Sequence, residues 1–314
     1  MTHLAAVALA AAALGAPLPA AADSARPTNY RSEVTSIEPP NGGVSADVVG
    51  GDAFLRIEAA PGVTVEVPGY EGEPYVRIGA DGTVEVNRNS PSYWVNEDRF
   101  GARAVPPEAS VDADPAWLTV GADGTYGWHD HRIHWMSPDP PPVVESSSVS
   151  EIFEWVVPVS VDGDPVEIHG QLEWVPSIDP IPWLALSAVA VAVAFVRPLT
   201  ALLVGAVAAI VVGVAQVAGS PLGPVDESMA WIPPSVALGL VVWAAFREHR
   251  HLTIGVGAVV VLAWAVSRFP ALWMPSLPSS LPAGLERTAT AVAAGVGLGG
   301  IVAAYRDLQK GAGG

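Results

Sequence analysis

Apolar and polar residues follow two different rhythms along this chain, and the change comes at Pro180. Before it, short runs alternate: Ala53-Phe-Leu-Arg-Ile57, Val63-Thr-Val-Glu-Val67, Tyr75-Val-Arg-Ile78 and Thr83-Val-Glu-Val86. A period of two puts one face on a core and the other in water, the pattern of a half-buried strand. Turn signals part the runs, among them Asn41-Gly42-Gly43, Pro61-Gly62, Asp81-Gly82 and Asp123-Gly124. Short strands at this spacing predict an antiparallel sandwich or barrel. A last pair, Glu154–Val161 and Val166–Trp174, is joined by Asp162-Gly-Asp-Pro165 and reads as a hairpin. Residues 138–150, rich in Pro and Ser, read as an extended linker or long loop, and as a sub-boundary if the region divides into two lobes.

After Pro180 the alternation gives way to five continuous apolar stretches: Ile181–Val196, Leu199–Val217, Trp231–Phe246, Leu252–Ser267 and Thr288–Tyr305. Each lies at the short end for a helix that crosses a bilayer. At the N-terminus the apolar run Leu4–Leu14 is too short to span, but it suits a signal peptide cut after the small residues Ala20 and Ala22. The expected architecture is a signal peptide over residues 1–22, then an all-β exported domain, residues 23–180. An all-α five-helix transmembrane bundle follows over 181–305, with a cytoplasmic tail over 306–314.

Charge sets the expected orientation. Residues 23–180 carry 27 of the 32 acids and 8 of the 15 bases. Of the remaining seven bases, Arg197, Arg247, Arg250, Arg306 and Lys310 fall on one side of the bundle, and the acids Asp226 and Glu227 on the other. The positive-inside rule then places the acidic domain outside and the C-terminus in the cytoplasm of a multi-pass protein of the cytoplasmic membrane. Arg268 and Arg287 are exceptions, at the ends of a Pro- and Ser-rich loop expected at the outer interface.

Composition removes several function classes. With no Cys there is no disulfide scaffold, thiolate metal site or cysteine nucleophile. A net charge of −17 argues against nucleic acid as a partner, since phosphate binding needs clustered Lys and Arg. No G-x-S-x-G elbow occurs, so a serine nucleophile has no recognisable setting and a non-enzymatic role is expected. The apolar stretches hold no Asp, Glu, Lys, Arg or His in their cores, which argues against an ion-coupled transporter. Gly295 and Gly299 give the small-residue spacing that lets membrane helices pack closely.

The densest chemistry is Trp128-His-Asp-His-Arg-Ile-His-Trp-Met136. On a strand His129 and His131 share a face, whereas His134 and Met136 lie on the other unless a bulge or turn intervenes. Imidazoles with a thioether and no thiolate suit copper, with His129, His131, His134 and Met136 as candidate ligands. The same residues also make a hydrogen-bonded structural cluster. A second patch comprises Gly69-Tyr-Glu-Gly-Glu-Pro-Tyr75, Asn87–Trp94 and Asn96-Glu-Asp-Arg99. Its aromatic and carboxylate side chains suit a polar ligand such as a glycan, or turns tied down by packing. Glu71 and Glu73 resemble a glycosidase carboxylate pair in type, with nothing to fix their separation.

The motifs Tyr70-Glu-Gly-Glu-Pro-Tyr75, Asn89-Ser-Pro-Ser-Tyr93 and Trp128–Met136 together resemble a family of exported membrane proteins of high-GC, actinobacterial type. That family implies the exported architecture but no activity. The plan of signal peptide, β domain and helical bundle is also similar to copper-handling CopC–CopD fusions. Those begin their mature domain with a His ligand and carry polar residues in their spans, and this chain has neither. The expected function is a membrane-anchored envelope binding protein, with copper held by the His cluster. The alternative is a structural or protein-interaction membrane protein without metal, whose partners are the lipid bilayer and an envelope protein or further copies of itself.

Overall fold

A computed structural model describes residues 23–137, 139–247 and 251–312. The expected signal peptide lies outside the described residues. Ten strands form the N-terminal region: β1 (Tyr30–Glu38), β2 (Val44–Val49), β3 (Phe54–Ala59), β4 (Val65–Pro68), β5 (Pro74–Ile78), β6 (Val84–Asn87), β7 (Trp117–Gly121), β8 (Thr125–Trp128), β9 (Ser150–Val161) and β10 (Asp164–Trp174). Every pairing is antiparallel. Seven strands form one sheet in the order β1-β10-β9-β4-β5-β6-β7, and β2-β3-β8 form another.

The alternation seen in the sequence produces this arrangement. Val65 and Val67 are buried while Glu66 between them is exposed, and Leu55 and Ile57 turn inward from the small sheet. These side chains, with Ile78, Val84, Val157 and Ile168, belong to a single hydrophobic cluster fed by both sheets. Asp162 and Gly163, both at positive φ, make the two-residue turn between β9 and β10. That geometry matches the right-handed twist of the strands it joins. β9 begins at Ser150, four residues before the expected start. The alternation fails at Phe54 and Leu55, which are both buried. Phe54 packs on the reverse face of β3, in a small cluster with Ala25, Ala53 and Leu222.

The one-turn helix α1 (Pro91–Val95) interrupts the β region. Five helices follow Pro180: α2 (Ile181–Val196), α3 (Pro198–Gly219), α4 (Ser228–Ala245), α5 (His251–Ser267) and α6 (Ala283–Ala312). By length and composition, α3, α4 and α6 can cross a membrane, while α2 and α5 are apolar but shorter. The helical region therefore holds three candidate spans where five were expected. α6 continues to Ala312, through the described part of the expected tail. Its glycines fit against α2: a Cβ on Gly295 would lie 2.2 Å from the carbonyl oxygen of Ser187, and one on Gly299 2.5 Å from that of Val191.

The β region sits directly on loops of the helical region. Thr28 and Ser276 exchange backbone hydrogen bonds, and the Ile178 N–H donates to the Trp273 carbonyl. Arg287, largely buried, donates to the carbonyls of Ala271, Met274 and Pro275 and so holds that loop in shape. The α3–α4 loop, through Pro221 and Leu222, reaches Gly127 on β8 and the Phe54 cluster.

Candidate functional site

β8 ends at Trp128, so the histidines that follow lie in turns and their strand parity no longer applies. The Ile133 N–H donates to the Asp130 carbonyl, closing a turn around the buried Asp130. Its carboxylate accepts from Trp128 Nε1 at 2.9 Å and from Arg132 Nε and Nη2 at 2.8 and 2.6 Å. The Asp–Arg pair and the first Trp of the motif are thus one closed hydrogen-bonded unit.

The imidazoles are held separately. His129 lies against Phe54, its Nδ1 2.6 Å from the Ala53 carbonyl oxygen and its Nε2 2.7 Å from that of Asp23. Both ring nitrogens therefore face acceptors. Burial lowers the His129 pKa, against the pull of the two carbonyls. His131 stacks on Tyr70, donates its backbone N–H to the Tyr70 hydroxyl oxygen, and places Nε2 3.0 Å from the Asp98 carbonyl oxygen. Its pKa is also lowered by burial.

His134 meets His131 edge to face, with ring centroids 5.3 Å apart. Its Nε2 is buried without a hydrogen-bond partner among the described residues. Burial first, then the nearby charges of Arg99 and His131, push its pKa down to about 3. Met136 is exposed. Among the described residues, no three His, Asp or Glu side chains converge on a point that could hold a metal ion.

The second patch divides into structure and site. Glu71 is exposed, whereas Glu73 is buried and accepts from the hydroxyls of Ser90 and Ser92, both at 2.7 Å. Burial works against its charge, yet these hydroxyls and the local backbone N–H groups hold the carboxyl below its ordinary pKa. Glu73 thereby anchors the start of α1, where Ser90 is the N-cap. Gly69 is required beside it, because a Cβ there would lie 1.9 Å from Glu73 Oε1. The two carboxylates do not form a pair.

Tyr75, Tyr93, Asn96 and Glu97 of this patch face a cleft of about 770 Å³, together with Trp128 and His129 of the histidine motif. Two segments read separately in the sequence therefore share one site. Tyr126 stacks on Trp128 with ring centroids 5.6 Å apart, and Tyr75 meets Trp128 edge-on. Burial raises the pKa values of Tyr75 and Tyr126, so both are neutral phenols. Glu97 pairs with Arg103, and burial raises its pKa. Arg56, also on the cleft, is held by Asp47 through two hydrogen bonds of 2.6 and 2.8 Å.

The far wall comes from the α3–α4 loop, residues Ser220–Gly223 and Asp226. The sequence reading took from that loop only its charge. The sequence pattern also gives no sign of Tyr126, which stands alone between motifs, or of Arg56, which reads only as the polar position of a strand. The volume falls within the range of small-molecule sites. With Arg56 tied to Asp47, the carboxylates of Asp123 and Asp226 leave the cleft acidic. Such a lining repels anions, and the half-buried Tyr93 and Tyr126 offer aromatic surface and hydroxyl groups to a neutral or cationic polar molecule, while Tyr75, Asn96 and Trp128 are themselves buried. The chain matches no family model, no curated protein and no solved structure.

Proposed function

We propose that this protein is a membrane-anchored envelope binding protein whose β domain, outside the cytoplasmic membrane, holds a saccharide in the cleft between its sheets and the α3–α4 loop. The observation that carries the reading is the convergence on one cleft of Tyr93, Tyr126 and Trp128 with Asn96 and Glu97. Sugars present apolar ring faces and hydroxyl edges, which such a lining accommodates by stacking and hydrogen bonding. The bundle serves as anchor, with α2 and α5 as short spans beside the three longer ones and the basic helix ends in the cytoplasm. On this reading the histidine turn is framework: His129 and the Asp130 unit hold the end of β8 and its Trp128 in place.

The test is titration of the detergent-solubilised full chain with neutral and amino-sugar oligosaccharides of cell-envelope type, followed by tryptophan fluorescence. Saturable binding that is at least tenfold weaker in Tyr126→Ala supports the reading. Equal responses from both proteins, or none from either, contradict it.

One observation favours a second reading. The unpartnered Nε2 of His134, beside His131, is a buried lone pair that a soft copper(I) ion would satisfy. His129, with both nitrogens at carbonyls, does not fit that ligand set. Copper(I) titration against a competing chelator tests this: binding lost in His134→Asn and kept in His129→Asn favours copper, and no binding excludes it.

A further inference from the structure

A groove opens on the helical region where α2 and α3 diverge. The two are consecutive yet touch little: α2 packs chiefly along α6, and α3 along α4 and α6, leaving between them a slot of about 500 Å³. Val189, Val193 and Val204 wall it, and Ala190, Ala201 and Val296 floor it. From Leu186 to Arg197 the slot follows about 16 Å of helix. Its sides are apolar, and the small floor residues give it depth.

The groove ends at a charge. Arg197, the single residue between α2 and α3, lines both this slot and an adjoining polar pocket of about 490 Å³. Thr200 also lines both, and His251 and Asp307 line the second. Asp307 is paired with Arg306 at 3.0 Å, and Arg306 also donates to the Phe195 carbonyl at the end of α2. Arg197 is exposed and has no ion pair among the described residues.

We infer that this groove binds an acidic phospholipid, one acyl chain lying between α2 and α3 and the phosphate on Arg197. An apolar slot running into a guanidinium reproduces the sequence of a lipid from tail to anionic head, at the helix ends where basic residues gather. Arginine binds phosphate oxygens through paired N–H donors, and basic pockets at the cytoplasmic ends of membrane helices recognise anionic headgroups in this way. A zwitterionic lipid offers the same tail but cancels much of the attraction. The inference rests on the helices lying in the membrane as proposed above.

The experiment uses the full chain in detergent, with phosphatidylglycerol or phosphatidylcholine of identical acyl chains added and the bound lipid counted by native mass spectrometry. The expected result is one phosphatidylglycerol retained at least tenfold more strongly than phosphatidylcholine. That preference falls about tenfold in Arg197→Gln and survives in Arg197→Lys. Val193→Trp, which fills the slot from its exposed wall, lowers retention of both lipids. Equal retention of the two lipids, no effect of Arg197→Gln, or a dimer that excludes lipid overturns the inference. Alkaline carbonate extraction of native membranes separates the two levels. A chain released by carbonate overturns the membrane reading as well, whereas a chain that stays but lacks lipid preference overturns the groove alone.

Discussion

The Nε2 atom of His129 lies 2.7 Å from the carbonyl oxygen of Asp23, 106 residues earlier in the chain, while Nδ1 lies 2.6 Å from that of Ala53. One imidazole, just past the end of β8, thus lies between the carbonyls of the first described residue and of the residue before β3. A neutral ring has one N–H and can satisfy only one of the two carbonyls, and the doubly donating form carries a charge that burial opposes. The arrangement is a structural clamp that depends on a specific ring. His129→Leu is expected to lower the stability of the β region by about 2 kcal/mol, through loss of a buried hydrogen bond and an uncapped carbonyl. Thermal unfolding followed by tryptophan fluorescence checks it; a change below about 0.5 kcal/mol would remove the clamp from the account.

Acid should loosen the same region. His129, His131 and His134 all have folded pKa values below the ordinary histidine value, that of His134 about 3. The unfolded chain therefore binds more protons below about pH 6.5, and stability falls as pH drops from there towards the folded values. Each fully engaged imidazole contributes up to about 1.4 kcal/mol per pH unit in that window. Glu73, with a lowered pKa, adds to the loss at the acid end, while Asp52 and Glu97, with raised values, oppose it as they take up protons above the ordinary carboxylate range. Apparent Tm should fall between pH 7 and pH 5, and fall less in His134→Gln. A Tm that is flat or rises over that range contradicts the burial of these rings.

Glu73 is expected to be needed for folding rather than for chemistry. Glu73→Ala leaves the buried hydroxyls of Ser90 and Ser92 without their acceptor and frees the start of α1. A loss of about 2–4 kcal/mol follows, with Glu73→Gln milder because one acceptor oxygen remains. Chemical denaturation of the three proteins gives the order directly. Glu73→Ala as stable as the unsubstituted chain would show the carboxylate to be dispensable.

The contact of α6 with α2 has no room for a side chain. Gly295→Leu should separate these helices, since even the first carbon would lie 2.2 Å from the Ser187 carbonyl oxygen. Gly284 is the control, because a Cβ there meets nothing within 4 Å. Yield of monodisperse protein in detergent should collapse for Gly295→Leu and stay unchanged for Gly284→Ala. Equal yields would mean that the helices do not pack as described.

What could be read from the sequence was what local rules determine. Val65 and Val67 announced their strand by alternation, Asp162-Gly163 announced its turn, and the apolar stretches after Pro180 all became helices. What could not be read depends on contacts made far along the chain. The ring of Asp130 with Trp128 and Arg132 is local, but Ala53 and Tyr70, which hold the histidines beyond the end of β8, lie more than sixty residues earlier. Phe54 broke the alternation because Ala25 and Leu222 cover the other face of β3. The cleft combines residues near positions 75, 95, 126 and 222, and no spacing rule joins those four segments. The histidines were visible as a group, but their division into a clamp on Asp23 and a His131–His134 pair was not.

The central claim is that the cleft at the junction of sheets and helices is a binding site, and Gly223 gives the most direct test. A Cβ there has only Asp226 Oδ2, at 3.7 Å, within 4 Å, and the residue faces the cleft. Gly223→Trp therefore inserts an indole into the cleft from the helical side and leaves every residue of the β domain intact. The measurement is calorimetric titration of the full chain and of Gly223→Trp with the tightest oligosaccharide from the fluorescence panel. The account predicts one-to-one binding by the unsubstituted chain and at least a tenfold loss in the variant at unchanged Tm. Equal affinity in the two proteins would place the saccharide elsewhere and contradict it.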